Sequence, residues 1–298
     1  MPVALRFLKR LTDDHLSQRS LIELLDKRLS GYETARSHKE VHVSTVTDDE
    51  LGFCPRSFAL LDVLEQKLPN KFIPAAMRVA FDNGTALHDL CRNKWLRHDV
   101  IGMWKCRHCK ETRHFSKLPA LVKGGTCTHE WVYHEEKFED PVSGIEGSID
   151  FFVDLGNDKL TPVEAKSIDK DQFAALAGPM GKHRLRTQMY LTLIDRVAPK
   201  TVKDQIDLTH ARVLYISKGY GKKNLDHDGK ILPLKEFVDT RNDKAVEPYF
   251  ALGKQLRDFR NGGKMPKLIC GSHQDKRAKE CSVCKQCFSG KYPAGVKL

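Results

Sequence analysis

The stretch GSIDFFVDLGNDKLTPVEAK, residues 147–166, decides how this chain is read. Phe151-Phe152-Val153 has the bulk of a strand, Gly156-Asn157-Asp158 the residues of a turn, and Leu160 to Lys166 reads as the returning strand. Side chains alternate along a strand, so Glu164 and Lys166 point one way while Ala165 faces the core side. The hairpin brings Asp150 within reach of them. Two carboxylates and an ammonium then converge at one spot. Hard cations such as Mg²⁺ or Mn²⁺ take carboxylate oxygens, and a neighbouring lysine can orient the water that attacks a phosphodiester. A Glu/Lys pair on a strand is equally what a surface ion pair looks like, which is worth little. The rest of the chain has to decide.

At 298 residues the chain suits one large domain or a core with additions. Hydrophobic residues at 40% and a mean hydropathy of −0.46 describe an ordinary soluble protein. No apolar run reaches membrane-spanning length, and Val3 to Leu11 is broken by Arg6, Lys9 and Arg10. These features argue against a signal peptide and for a cytoplasmic protein. A net charge of +11 and a pI near 9.2 favour a polyanionic partner. The excess lies in Arg6 to Arg10, Lys182 to Arg186, Lys218 to Lys223 and Lys276 to Lys279. Each cluster alone reads as solvated charge; together they favour phosphate backbone, bound in a salt-sensitive, sequence-tolerant way. Membrane binding lacks an amphipathic anchor.

Nine cysteines without a signal peptide are poor evidence for disulfides. Eight fall into two metal-like groups, and Cys91 stands apart in an apolar helical stretch, as an inert buried thiol does. Cys106-Arg107-His108-Cys109 and Cys127-Thr128-His129 have the spacing of a structural zinc site. His108, His114 and His134 are alternatives to His129 as its last ligand. A closed four-ligand site holds structure together and does no chemistry. The second group is Cys270, Cys281, Cys284 and Cys287, with Cys54 as a distant fifth thiol. It fits a second zinc site or an iron–sulfur cluster on four thiolates, the latter tying the tail to the N-terminal part.

Along the chain, Ser17 to Leu29 reads as a helix, followed by a polar, irregular stretch to about residue 50. Cys54-Pro55-Arg56 opens another helix, with Pro55 suited to its first turn. Pro74 to Arg97 has helical apolar spacing, interrupted by Gly84. Trp104 to about His134 reads as an insertion rather than core. Strands follow over Val132 to Phe138 and Ile145 through Lys166. Arg184 to Ala198 is a helix, His210 to Ser217 a strand, and Asn242 to Arg260 an amphipathic helix ended by Gly262-Gly263. An open sheet flanked by helices is the economical picture. The expected division is 1–103, an N-terminal helical region with the first core helices; 104–134, the zinc-binding insertion; 135–265, the core; and 266–298, the cysteine-rich tail.

An ordered set of motifs now stands out: Cys54-Pro55-Arg56, Asn83-Gly84-Thr85-Ala86-Leu87-His88, Gly147 to Asp150, Glu164-Ala165-Lys166, Gln188-Met189-Tyr190 and the terminal cysteines. In that order the chain resembles the PD-(D/E)xK nuclease superfamily. The closer likeness is to its RecB-like exonuclease branch with an iron–sulfur cluster, as in AddB-type, CRISPR-associated and phage-encoded relatives. The resemblance covers about Cys54 to Cys287 and implies an α/β, restriction-endonuclease-like core, a central mixed sheet flanked by helices. It implies Asp150 and Glu164 as carboxylate ligands of Mg²⁺ or Mn²⁺, with His88 and the Ala165 carbonyl completing the set. Lys166 would orient the water. Tyr190 matches a tyrosine that contacts the DNA backbone in such proteins. The family's glutamine stands four before the tyrosine, whereas here that position is Arg186 and the glutamine is Gln188. Arg186 and Tyr190 share a helix face and Gln188 points elsewhere, so Arg186, with Lys182, becomes a candidate for phosphate.

The resemblance further implies a 4Fe–4S cluster on Cys54, Cys270, Cys281 and Cys287, with Cys284 as the alternative ligand. The activity it implies is a metal-dependent DNA exonuclease acting on ends or single strands in recombination, repair or phage DNA processing. A recombination or replication protein is a possible partner, and the host cytoplasm the location if the source is a phage. Two other readings stand beside it: a non-catalytic DNA-binding or partner-recruiting module on the same scaffold, and a zinc-finger-type nucleic-acid binder. The last explains only residues 106 to 129.

Overall fold

The computed structural model describes residues 21–34, 37–47, 52–120, 127–156, 158–219, 233–290, 292 and 296. The basic run Arg6 to Arg10, the start of the first helix, Asn157 of the turn, and Lys222 and Lys223 lie outside the described residues. The chain begins with α1 (Leu21–Leu29), β1 (Gly31–Glu33), β2 (Val41–His42), α2 (Val43–Val46), α3 (Pro55–Val63), β3 (Lys71–Ile73) and α4 (Ala75–Leu90). A π-helical turn (Cys91–Trp95) leads to β4 (Val100–Cys106), β5 (Thr112–Ser116), β6 (Trp131–His134), β7 (Lys137–Glu139), β8 (Ile145–Ser148), β9 (Phe151–Val153) and β10 (Thr161–Ile168). Then come α5 (Lys170–Ala175), α6 (Gly181–Val197), α7 (Lys200–Lys203), β11 (His210–Ser217), β12 (Leu234–Thr240), α8 (Asp243–Arg260), α9 (Lys276–Glu280) and α10 (Cys284–Ser289).

Two compact units divide these elements, one of residues up to 36 with 69–83, the other of 37–68 with 84–298. In the first, β1 and β3 pair antiparallel with Gly31 opposite Ile73, and Tyr32 meets Phe72 edge-on at 5.4 Å. The second holds a mixed sheet in the order β12-β11-β10-β9-β4-β5, with β6 also on β4, and a three-stranded sheet β2-β8-β7. β10 runs parallel to β11 and antiparallel to β9. The α/β class with a central mixed sheet flanked by helices holds.

Why β10 sits at the centre follows from its sequence. Val163 and Ala165 face one apolar cluster with Phe151, Val153, Trp104 and Trp131. Glu164 and Lys166 therefore face the other side, beside their parallel partners Val213 and Tyr215. There α6 packs on β11 and β12 and against α8, and its Met189, Leu193 and Ile194 join a second cluster with Phe152, Val246 and Phe250. Asn242 caps α8 by accepting from the Ala245 amide, and Gly262 takes a left-handed φ of 87° just past its end.

Several sequence expectations need correction. The polar stretch before residue 50 contains β1, β2 and α2. Trp104, expected in an insertion, is fully buried on β4, which pairs with β9 in the main sheet. The cysteine spacing drew the eye from Trp104, Trp131 and Tyr133, which are core residues. Val132 to Phe138 is two strands in different sheets, broken at Glu135-Glu136. Ile145 to Val153 is likewise broken, at Ile149-Asp150. Strand β12, on an edge of the large sheet, buries only Asp239 fully and was not expected.

Candidate active site

The break between β8 and β9 places Asp150. β9 pairs with β10 only as far as Phe151 opposite Val163, so the next β10 amide facing that way needs another acceptor. Asp150 supplies it: Oδ2 accepts from the Ala165 amide at 2.7 Å. The carboxylate is thereby fixed one residue from both Glu164 and Lys166. Lys166 Nζ lies 2.5 Å from Glu164 Oε1 and 3.7 Å from Asp150 Oδ2, and donates to the Ala165 carbonyl at 2.9 Å. Asp150 and Glu164 are 7% and 2% exposed. Two acids and an ammonium share one buried spot.

Helices bring the rest. His88, near the end of α4, puts Nδ1 3.5 Å from Asp150 Oδ1. Gly84, one turn earlier, lets α4 lie close to β10: a Cβ there would sit 3.1 Å from Ser167 Oγ. The π-helical turn that follows swings Arg92 to within 3.9 Å of Asp150 Oδ1 and onto Glu135; such widened turns recur at functional sites. From α6, Arg186 Nη1 comes within 3.9 Å of Glu164 Oε1. Tyr190 is buried against Gly147, where a Cβ would fall 2.7 Å from the ring. The glycine of Gly147-Ser148-Ile149-Asp150 is thus required by tyrosine packing.

These neighbours set the charges. Burial pushes the Asp150 carboxyl up, but Lys166, His88 and Arg92 overcome it and hold it well below the usual carboxylate range. Glu164 goes the other way, pushed up to about 7 by burial, with the Asp150 charge adding to it and Lys166 opposing. Burial works against the Lys166 ammonium, yet Glu164 and Asp150 keep it charged and raise its pKa. Burial also raises Tyr190, and the Glu164 charge adds to that.

Of the residues expected from sequence, Asp150, Glu164, Lys166, His88, Ala165, Tyr190 and Arg186 are brought together. Gln188 is not: its amide donates to both oxygens of buried Asp239 at 3.3 Å, alongside Arg184. Lys182 is exposed on the first turn of α6. The residues missed are Arg92 and Glu135. Burial and the Asp150 charge raise the Glu135 carboxyl. Position 92, one turn after His88, carried a signal; Glu135 carried none. Cys91 is buried, its thiol pushed up to about 11 by burial and then by the Asp150 charge.

Metal chemistry fits this donor set. An ionised aspartate, a glutamate and an imidazole converge with a backbone carbonyl, oxygen-rich donors suited to Mg²⁺ or Mn²⁺. A ligand set of another kind lies at the far end of β4. Cys106, Cys109, Cys127 and His129 present ligand atoms all within 4.8 Å of one another. Cys106 and Cys127 sulfurs are 3.8 Å apart, and Cys109 Sγ is 3.5 Å from His129 Nδ1. The other nitrogen of His129 faces Glu111 at 3.7 Å, the carboxylate support common behind a zinc-bound histidine. Burial pushes Cys106 up, but amides of Cys109 and His108 bring it down to about 5; Cys127 is driven to about 11 by burial and its neighbouring thiols. A cation would relieve that conflict, so the site fits zinc. His108 and His114 instead face Glu130 and Glu136.

The tail cysteines approach Cys54, which opens α3 without capping it by its side chain. Burial raises the Cys270, Cys281 and Cys287 thiols, and the charge of Cys54 adds to the effect on each. Cys284 lies 3.6 Å from His273 Nδ1. All are free thiols. A donor set made of thiols is the chemistry of an iron–sulfur cluster. A further trio, Glu40, His42 and Glu146, also brings its ligand atoms within 4.8 Å of one another, with Lys137 Nζ 2.7 Å from Glu146.

No family model matches this chain. No curated protein matches it either. Among solved structures it is similar to an alkaline exonuclease, LHK-Exo from Laribacter hongkongensis, at 12% identity and TM-score 0.40 over 76% of this chain and 93% of that one. The same enzyme in complex with dAMP gives 11% and 0.41, over 75% and 88%. SSO0001 gives 12% and 0.35, over 99% and 98%. At scores this low the likenesses assign no family, and the functional reading rests on the site itself. Among the described residues no helix is long and apolar enough to cross a membrane.

Proposed function

We propose that the protein is a divalent-metal-dependent deoxyribonuclease, an exonuclease working on DNA ends or single strands. The observation that carries this is the Asp150–Ala165 hydrogen bond, which fixes Asp150 next to Glu164 and Lys166 in one buried cluster. Asp150, Glu164, His88 and the Ala165 carbonyl would hold Mg²⁺ or Mn²⁺. When bound, the ion supplies Lewis-acid activation of water and neutralisation of charge at the phosphate.

The chain's own groups do the rest. Lys166, held charged between two acids, orients the attacking water and stabilises negative charge that develops on the phosphate. Arg186 and Arg92 each bury an Nε with no hydrogen-bond partner among the described residues, donors suited to phosphate oxygens. Glu164, with its raised pKa, releases its proton as a cation arrives. The net charge of +11 supports a polyanionic substrate. Zinc on Cys106, Cys109, Cys127 and His129 would brace the sheet extension, and a 4Fe–4S cluster on Cys54, Cys270, Cys281 and Cys287 would tie the tail to α3. A cytoplasmic setting and a recombination or repair partner belong to this reading.

The test is Mn²⁺-dependent digestion of end-labelled single- and double-stranded DNA by Glu164→Ala and Lys166→Ala proteins. Each should lose at least about 10²-fold in rate. Parental rates in either variant would defeat the assignment.

A further inference from the structure

Arg56, the third residue of the Cys54-Pro55-Arg56 motif, has each of its two terminal nitrogens bonded to the tail. Nη1 donates to the Pro266 carbonyl at 2.7 Å, and Nη2 to the Tyr292 hydroxyl at 2.5 Å. That hydroxyl in turn donates to the Cys287 carbonyl at 3.0 Å, and the guanidinium lies over the Tyr292 ring at 5.5 Å. The third nitrogen, Nε, is buried and has no acceptor among the described residues. Buried donors are rarely left unpaired, and an orphan calls for an acceptor from outside those residues. Its surroundings say which. Arg56 stands two residues after Cys54 on the first turn of α3, and its partner Tyr292 is bonded to the backbone of Cys287, so the guanidinium lies between two of the tail-cluster cysteines.

We infer that Arg56 is a positioning residue for the iron–sulfur cluster, its Nε–H donating to a cluster sulfur and favouring the reduced form. This rests on the cluster assignment above. Taking up one electron from an outside reductant adds one negative charge to the sulfur cage. A fixed cationic donor stabilises that state more than the oxidised one and raises the reduction potential.

The experiment uses full-length protein reconstituted anaerobically, titrated with dithionite and followed by EPR of the reduced cluster. Arg56→Lys and Arg56→Met should hold the cluster but be harder to reduce, with the equilibrium moved about tenfold, about 59 mV for one electron. Tyr292→Phe, which removes an Nη2 partner and spares Nε, should keep the wild-type potential. Wild-type potentials in both Arg56 variants overturn the inference. If those variants shed the cluster, pulsed EPR on wild-type protein carrying ¹⁵N-arginine decides. A coupled guanidinium nitrogen supports the contact, and its absence overturns it. A wild-type protein that takes up no iron and sulfide instead sinks the cluster assignment, and the inference with it.

Discussion

The carboxylate centre and the Cys106–His129 knuckle are both sets of metal-ligating side chains, but only the first carries its own cations. Asp150 and Glu164 are met by Lys166, His88, Arg92 and Arg186. Among the described residues the three thiols of the knuckle have no such partners; they face one another and His129. The lesson concerns what each site needs in order to exist. The carboxylate cluster is held by a strand ladder and neutralised from within, so it is preformed. The knuckle depends on an external charge.

The strongest way to break that comparison is to deny the knuckle the zinc proposed for it. Chelation, or Cys109→Ser, should abolish hydrogen-exchange protection across β5 and β6, because metal binding there is folding energy. α6 and β11 should keep theirs. Uniform loss across the sheet, or none at all, would show that the two sites do not differ as described.

A smaller effect sharpens the other side. Glu164 has its folded pKa raised from an ordinary 4.5 to about 7. Between those values the folded state keeps a proton that the unfolded chain releases, so metal-free stability falls as pH rises through this window, by on the order of 3 kcal/mol. Asp150 acts with the opposite sign: its pKa is lowered, and its contribution is present at neutral pH and lost on acidification. Denaturant melts from pH 4.5 to 7.5 should show the fall, and Glu164→Gln should flatten it. Smallest is Gly147→Ala, where the new Cβ meets Tyr190 and Val43 at under 3 Å. Overpacking of this kind costs about 1–3 kcal/mol, read as a lowered Tm.

How far the sequence reached follows the same divide between local and distant. Asp150, Glu164 and Lys166 were legible because a short hairpin and strand alternation suffice to bring them together. The helices over Pro55–Val63 and Asp243–Arg260 were legible through Pro55, Asn242 and Gly262. His88 came only through resemblance, since nothing local ties a helix to that hairpin. Arg92 stands one turn after His88, but a π-helical turn aims it, and Glu135 depends on a strand break that leaves no periodic trace. Trp104 went unread as core because the cysteines around it look like a loop-borne knuckle. Gln188 shows that helical geometry outranks motif matching: two residues from Tyr190, it faces Asp239.

The central claim is that Asp150 and Glu164 grip a divalent ion beside Lys166. Mn²⁺ uptake by the purified protein, followed by loss of the free-ion EPR signal, tests it most directly. Wild type and Lys166→Met should both bind the ion, while Asp150→Asn and Glu164→Gln bind at least about tenfold more weakly. Equal uptake by wild type and both carboxylate variants would contradict it.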